Sequence, residues 1–142
     1  MDKNKLFYYL VKGLVNSDNI VIDYGCEKGE WALFLADGVR KVIGMDRNSD
    51  LIKIATENNK LKNVYFVKEN IDQVPELPRS DVSVAINILK TLRFPDSFLG
   101  KLKMSTKKLI ILAEAYLPED NEWKQFGDLK LAETFLTIYE RI

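Results

Sequence analysis

The stretch that decides the fold is NIVIDYGCEKGEWALFL, residues 19–35. It opens with the apolar run Ile20–Ile22, which is short enough for a buried strand, and then breaks at Gly25 and Gly29. A helical i, i+3, i+4 pattern follows in the apolar residues Trp31, Phe34 and Leu35. Strand, glycine turn and helix form the first half of a βαβ unit. Such a turn leaves free backbone N–H groups, which suit an anionic group on a ligand.

The next apolar segment ends in a carboxylate. Residues 41–46, KVIGMD, predict a second strand that ends at Asp46. Asp46 follows the first glycine by about 20 residues, the spacing expected of an acid that binds ribose hydroxyls. A carboxylate suits a diol because it accepts hydrogen bonds at two oxygens and donates none.

Strand and helix patterns alternate as far as residue 113. Further strands are predicted at residues 64–67, 82–86 and 108–113, and helices at residues 6–15, 30–37, 51–58 and 97–104. This alternation favours a mostly parallel sheet with helices on both faces. The last 25 residues differ, because residues 123–126 and 129–131 predict two strands joined by a two-residue turn at Gly127 and Asp128. A β-rich terminal strand follows at residues 135–142.

Composition predicts a single domain, residues 1–142, with 46% hydrophobic and 30% charged residues. The formal net charge is zero, which gives no general attraction to nucleic acid or to an anionic membrane. No 18-residue apolar run predicts a transmembrane helix. The single cysteine, Cys26, forms no internal disulfide, which indicates a reducing, cytoplasmic location. The sequence has no histidine, so the commonest general base and metal ligand are both missing, and no metal site is predicted.

The motif Asp23-x-Gly25-x-x-x-Gly29, followed by Gly44-Met45-Asp46, resembles the glycine-rich motif and second-strand acid of class I S-adenosylmethionine-dependent methyltransferases, in particular small type-11-like domains. The resemblance implies an α/β fold: a three-layer αβα Rossmann-like sandwich, with a mostly parallel sheet of six to seven strands and an antiparallel C-terminal edge. It implies S-adenosylmethionine as the cofactor and methyl transfer to an unidentified acceptor. The tail is short for the family, so we expect a trimmed version of its last helix and hairpin.

The resemblance also assigns residues to the cofactor. The amino acid end would lie over the turn that holds Gly25, Cys26 and Gly29, with Asp23 near the ammonium group. Asp46 would bind both ribose hydroxyls. Arg47 would either cover the adenine with its stem or point to water. These assignments predict a cofactor site at the ends of the first two strands.

Two later strands add further candidates. Asn70 stands where the family often has an acid that binds the adenine amino group, with Ile71 against the ring. Asp72 is an alternative if the register differs by two residues. Asn87 would lie near the transferred methyl group, because ligands bind outside the carboxyl ends of the strands. An acceptor hydroxyl or amine could be oriented by Asn87 or by Glu114; no catalytic residue is assigned.

Glu27 departs from the family, which usually has a glycine there. Its side chain would point to solvent, occupy the cofactor's place or repel the cofactor carboxylate. The alternative function is therefore a catalytically degenerate methyltransferase fold that serves as a binding or partner module. Because the chain lacks the family's usual inserts, an open cleft is expected, which favours a macromolecular acceptor or a partner subunit that completes the site.

Overall fold

The computed structural model describes residues 3–131 and 133–142. The described residues form seven strands: β1 Ile20–Tyr24, β2 Lys41–Asp46, β3 Val64–Lys68, β4 Ser80–Ala85, β5 Thr106–Ala113, β6 Trp123–Leu131 and β7 Thr134–Arg141. They also form four α-helices: α1 Lys3–Leu14, α2 Glu30–Leu35, α3 Ser49–Asn58 and α4 Pro95–Ser105. Short 3₁₀ turns occupy Ala36–Gly38 and Leu89–Thr91. None of the helices in these residues has the length and apolar character needed to cross a membrane.

The strands form one sheet in the order β3-β2-β1-β4-β5-β7-β6. The first five strands pair in parallel, and β7 pairs antiparallel with both β5 and β6. The predicted Rossmann-like sandwich with an antiparallel C-terminal edge is confirmed. Because the chain runs outward from β1 to β3 and then returns to β4, the order reverses between β1 and β4. Parallel α/β sheets bind their ligands at such a switch point, at the carboxyl ends of the strands.

The two faces of the sheet are covered differently. On one face, α1 and α2 bury residues such as Phe7, Tyr8 and Leu35 against the sheet, and α3 packs beside β3. On the other face, α4 buries Phe98 and Leu102 together with loop residues. The connections of residues 69–79 and 114–122 hold no helix, so the second face has one helix where βα alternation would supply more. The expected trimmed tail is present.

The predicted turn at Gly127 and Asp128 is wrong. β6 continues through both residues, with an irregular register between Gln125 and Gly127, and the chain reverses between Leu131 and Thr134. The eight residues of β7 explain the difference, because β6 pairs with β7 along its whole length and a turn at residue 127 would leave half of that edge of β7 without a partner. Phe126 has no register partner there, so Gly127 lies beside a bulge and not in a hairpin loop.

Candidate functional site

A cavity of about 190 Å³, which we call the switch-point cavity, lies at the carboxyl ends of β1 to β4. Six residues predicted to bind the cofactor line it: Gly25, Asp46, Arg47, Asn70, Ile71 and Asn87. The lining also includes residues that the sequence analysis did not assign to binding: Glu27, Asn48, Leu51, Glu69, Ile88, Thr91 and Leu92. The apolar ones belong to the segments that come after β2 and β4, and this position was the signal available in the sequence. The fold therefore brings together most of the predicted site.

Asp46 is the best-positioned polar group of the cavity. Its Oδ2 accepts a hydrogen bond from the backbone N–H of Glu27 at 3.0 Å, and its Oδ1 accepts from Asn48 N–H at 2.9 Å. The Asn48 side chain in turn caps α3 by accepting from two backbone N–H groups. Each carboxylate oxygen has two lone pairs, so both oxygens of Asp46 retain one for a ligand. The bound N–H groups hold the carboxylate in one orientation.

Glu27 has a left-handed backbone, with φ of 51°. This conformation costs a residue other than glycine about 1–3 kcal/mol, which explains why a glycine would be favoured at this position. The side chain is exposed, and it lines both the switch-point cavity and a neighbouring cavity of about 250 Å³ beside Trp31. Glu27 therefore places a carboxylate at the entrance to both cavities.

Gly25 is required by close contact between two loops. Its φ is +79°, and an added Cβ would lie 2.9 Å from the Cβ of Ile88. The N–H groups of Gly25 and Cys26 both donate to the carbonyl of Met45, at 2.8 and 3.0 Å. The turn after β1 is thus held against β2 on one side and against the loop after β4 on the other. This arrangement forms the floor of the switch-point cavity.

Gly29 is outside the cavity and makes room for an aromatic ring. An added Cβ would lie 2.4 Å from Phe66 Cζ, and one on Gly44 would lie 2.7 Å from Phe66 Cδ1. Gly44 and Phe66 are register partners on β2 and β3, so the ring lies over the neighbouring glycine. Packing alone explains these two glycines, and a cofactor-binding role for Gly29 stays a prediction. Phe66 was not predicted from the sequence, because its pairing with Gly44 depends on the strand register.

Asp23 also lies outside the cavity. Its side chain is fully buried, Oδ1 accepts a 2.6 Å hydrogen bond from the Tyr8 hydroxyl, and Oδ2 has no partner in the described residues. Burial raises the pKa of Asp23 to about 7; the Tyr8 hydrogen bond opposes this, and the charges of Glu27 and Asp46 add to it. Since Asp23 pairs with Gly44, Asp23 and Asp46 project to the same face of the sheet. The predicted contact with the cofactor ammonium stays a prediction.

Cys26 does not line the switch-point cavity but the neighbouring one. Its side chain is buried, and burial is the main reason that the pKa of the thiol is raised far above its usual value. A protonated thiol is a poor nucleophile, so the surroundings of Cys26 do not activate it. Its assignment to the cofactor stays a prediction.

The loop after β3 is tied down by its own polar groups. Asn70 Oδ1 accepts from Asp72 N–H at 3.1 Å, and the two carboxylate oxygens of Asp72 accept from the N–H groups of Arg93 and Phe94 at 2.9 and 3.1 Å. The Arg93 hydrogen bond is the first cause of the lowered pKa of Asp72. Asp72 is therefore structural, whereas Asn70 lines the cavity with one carbonyl lone pair and its NH₂ group still available.

The family model of a methyltransferase domain matches residues 15–132, which is most of the chain. The chain belongs to the methyltransferase domain family. The predicted family is thus confirmed, with S-adenosylmethionine as the family's cofactor. The family match does not favour the alternative of a degenerate module. A 62-residue segment of this methyltransferase domain is 34% identical to the 23S rRNA (uracil(1939)-C(5))-methyltransferase RlmD of Aliivibrio salmonicida, covering 42% of the chain but 14% of that protein.

Solved structures share the fold of this methyltransferase domain. The N-methyltransferase NodS from Bradyrhizobium japonicum WM9, in complex with S-adenosyl-L-homocysteine, superposes with a TM-score of 0.78 at 12% identity over 98% of this chain and 87% of that one. A SAM-dependent methyltransferase from Aquifex aeolicus gives 0.75 at 18% identity, covering 99% and 94%. At these identities the likeness concerns the fold.

The groups in the switch-point cavity fit a nucleoside. The Asp46 carboxylate offers free acceptor positions for a diol, Asn70 offers an amide for a heterocycle, and Leu51, Ile71 and Leu92 supply apolar walls. About 190 Å³ is below the range of about 300–1,000 Å³ typical of whole-ligand clefts. The cavity would hold the nucleoside part of S-adenosylmethionine, and the rest of the molecule would extend beyond it.

Proposed function

We propose that this methyltransferase domain binds S-adenosylmethionine in the switch-point cavity and transfers its methyl group to an acceptor that approaches from the side of Asn87. The observation that carries the proposal is the oriented Asp46 carboxylate, which keeps free lone pairs at the edge of an apolar-walled cavity. Its position at the reversal of strand order adds support.

Each part of the cofactor has a matching group in the proposal. Asp46 would accept hydrogen bonds from the ribose hydroxyls, and Ile71 and Leu51 would supply apolar contacts to the adenine. Asn70 bonds the edge of the ring. The amino acid end lies over the turn at Gly25, close to the carboxylate of Glu27. Two like charges about 4 Å apart repel by about 1 kcal/mol in water, so Glu27 weakens binding without preventing it.

The cofactor supplies an activated methyl group: the acceptor lone pair forms a bond to the methyl carbon while the carbon–sulfur bond breaks, and its electron pair stays on sulfur. The acceptor proton leaves to solvent. This chemistry depends chiefly on alignment, so it needs no histidine. Gly25 and Asn87 position the reacting ends, because their two loops meet where the cavity opens.

Isothermal titration calorimetry with S-adenosylmethionine and S-adenosylhomocysteine tests the proposal. The natural protein is expected to bind both, and Asp46→Asn is expected to bind at least about tenfold more weakly, since a lost charge-assisted hydrogen bond is worth about 1.5–3 kcal/mol. Asp128→Asn, an exposed change on β6, serves as the matched control. Absence of heat at millimolar cofactor, from protein with an intact circular dichroism spectrum, overturns the proposal.

The proposal also covers the kind of acceptor and the cellular location. The absence of helices in the connections of residues 69–79 and 114–122 supports an open cleft, which suits a macromolecular acceptor or a partner subunit that completes the site. A cytoplasmic location is likewise proposed from the lone cysteine alone.

A further inference from the structure

A second cavity adjoins the proposed cofactor site. This cavity, which we call the β4–β5 cavity, has a volume of about 240 Å³ and lies between the start of α1, residues 86–91, the end of β5 and the start of β7. It shares Asn87, Ile88 and Thr91 with the switch-point cavity. A molecule in the β4–β5 cavity would therefore lie next to a molecule in the switch-point cavity. This is the position that an acceptor needs, so the inference rests on the proposed function for its biological meaning.

An ion pair lies at this cavity. Lys90 Nζ is 2.5 Å from a carboxylate oxygen of Glu114, and both residues belong to the lining. The two side chains differ in exposure, since that of Lys90 is 76% exposed and that of Glu114 is 23% exposed. Among the described lining residues these are the one cation and the one anion. The lysine thus meets the carboxylate from the solvent side.

The backbone fixes Glu114 more firmly than Lys90. Glu114 directly follows β5 and has a left-handed backbone, φ 56°, and its N–H donates to the carbonyl of Phe135 on β7 at 2.9 Å. A left-handed glutamate costs about 1–3 kcal/mol and persists only where the surroundings hold it. Lys90, by contrast, extends a long stem from an exposed 3₁₀ turn. Because the Lys90 side chain is also the more exposed of the two, an incoming charged group displaces the lysine more easily than the glutamate.

From this asymmetry we infer that the β4–β5 cavity binds an acceptor carrying a protonated amine, whose ammonium replaces that of Lys90 at the carboxylate of Glu114. An anionic acceptor would instead have to displace the less exposed carboxylate of Glu114. The buried ring of Phe7 and the side chains of Ile86 and Leu89 give the amine an apolar wall. The class is an amine on a compact apolar or aromatic stem, of a size that a cavity of about 240 Å³ holds.

The test uses three probes that share a benzyl group and differ in charge: benzylamine, benzyl alcohol and phenylacetate. Each is titrated into ¹⁵N-labelled, cofactor-free protein, and amide shifts are followed at Thr91, Glu114 and Thr134. Benzylamine is expected to shift these amides in a saturable way, and the other two probes are not. Because cofactor is absent, failure here is distinct from failure of calorimetry with S-adenosylmethionine.

Three variants sharpen the result. Glu114→Gln is expected to weaken the binding of benzylamine at least tenfold. Lys90→Met is expected to strengthen that binding about threefold, because it removes the competing ammonium. Glu122→Gln, which alters an exposed ion pair with Arg141 far from the cavity, is the control and leaves binding unchanged. If Glu114→Gln misfolds, the higher affinity of Lys90→Met for benzylamine still tests the inference. The inference is overturned by any of four results: phenylacetate binds more strongly than benzylamine, all probes bind equally, no probe binds, or S-adenosylmethionine competes with benzylamine.

Discussion

The backbone N–H of Glu27 donates to Oδ2 of Asp46 at 3.0 Å, from a residue whose own backbone is left-handed, with φ of 51°. The turn after β1 and the acid at the end of β2 are thus one unit. Glu27 in the glycine motif therefore leaves the geometry of the turn in place. It affects the site only through the strain of its backbone and the charge of its carboxylate.

Glu27→Gly separates these two effects. It is expected to raise the free energy of unfolding by up to about 1 kcal/mol, because relief of strain exceeds the extra chain entropy of glycine. It is also expected to raise the affinity for S-adenosylmethionine about fivefold, because it removes a charge repulsion of about 1 kcal/mol. Urea unfolding and calorimetry give the two values. Glu27→Gln, which keeps the strain and loses the charge, should reproduce only the gain in affinity; a gain in stability from Glu27→Gln would contradict this account.

Stability should fall as pH rises through the range in which Asp23 ionises. The folded-state pKa is about 7 and the unfolded value about 3.9, so the folded protein holds the extra proton between these values. Protonated Asp23 therefore contributes to the stability of the fold at low pH. This contribution is lost as the pH rises to 7 and above. The expected loss between pH 5 and pH 8 is about 2–3 kcal/mol.

Urea unfolding of the natural protein and of Asp23→Asn at both pH values measures this loss. Asparagine can still accept from Tyr8 but does not ionise, so the variant's free energy of unfolding should change less with pH. Asp128→Asn, exposed on β6, should follow the natural protein. Equal pH dependence of natural protein and Asp23→Asn would show that Asp23 titrates normally.

Gly29→Ala should destabilise the fold by about 2–4 kcal/mol. Its Cβ would clash with Phe66 Cζ at 2.4 Å in a backbone conformation with φ +82°, so steric overlap and strain add. Thermal and urea unfolding measure the change. Gly100→Ala, inside α4 with nothing within 4 Å of the added Cβ, is the matched control and should gain about 0.5–1 kcal/mol. A stable Gly29→Ala protein would mean that the Phe66 ring moves aside freely.

Asn70→Asp should raise the affinity for S-adenosylmethionine several-fold. An aspartate accepts from Asp72 N–H as Asn70 does, and its charge strengthens a second hydrogen bond from the adenine amino group. Calorimetry with S-adenosylmethionine measures the gain, and S-inosylhomocysteine, which lacks that amino group, should bind no better to the variant. Asn70→Ala should weaken the cofactor. Unchanged affinity in both variants would place the adenine elsewhere.

Local pattern predicted the order of elements because burial periodicity and glycine breaks are properties of neighbouring residues. The strand–glycine–helix unit, β2 ending at Asp46 and the parallel sheet all followed from it. The turn at Gly127 failed because a glycine suits both a hairpin loop and a bulge, and only the length of the pairing strand distinguishes them.

The sequence by itself determined the family, the fold and the carboxylate at the second strand, because each depends on residue type at a fixed spacing along the chain. The tertiary structure alone decided that Gly29 faces Phe66, that Tyr8 bonds Asp23, and that Lys90 meets Glu114. These partners are far apart in the chain, and their contact depends on strand register and helix docking, which local spacing does not encode.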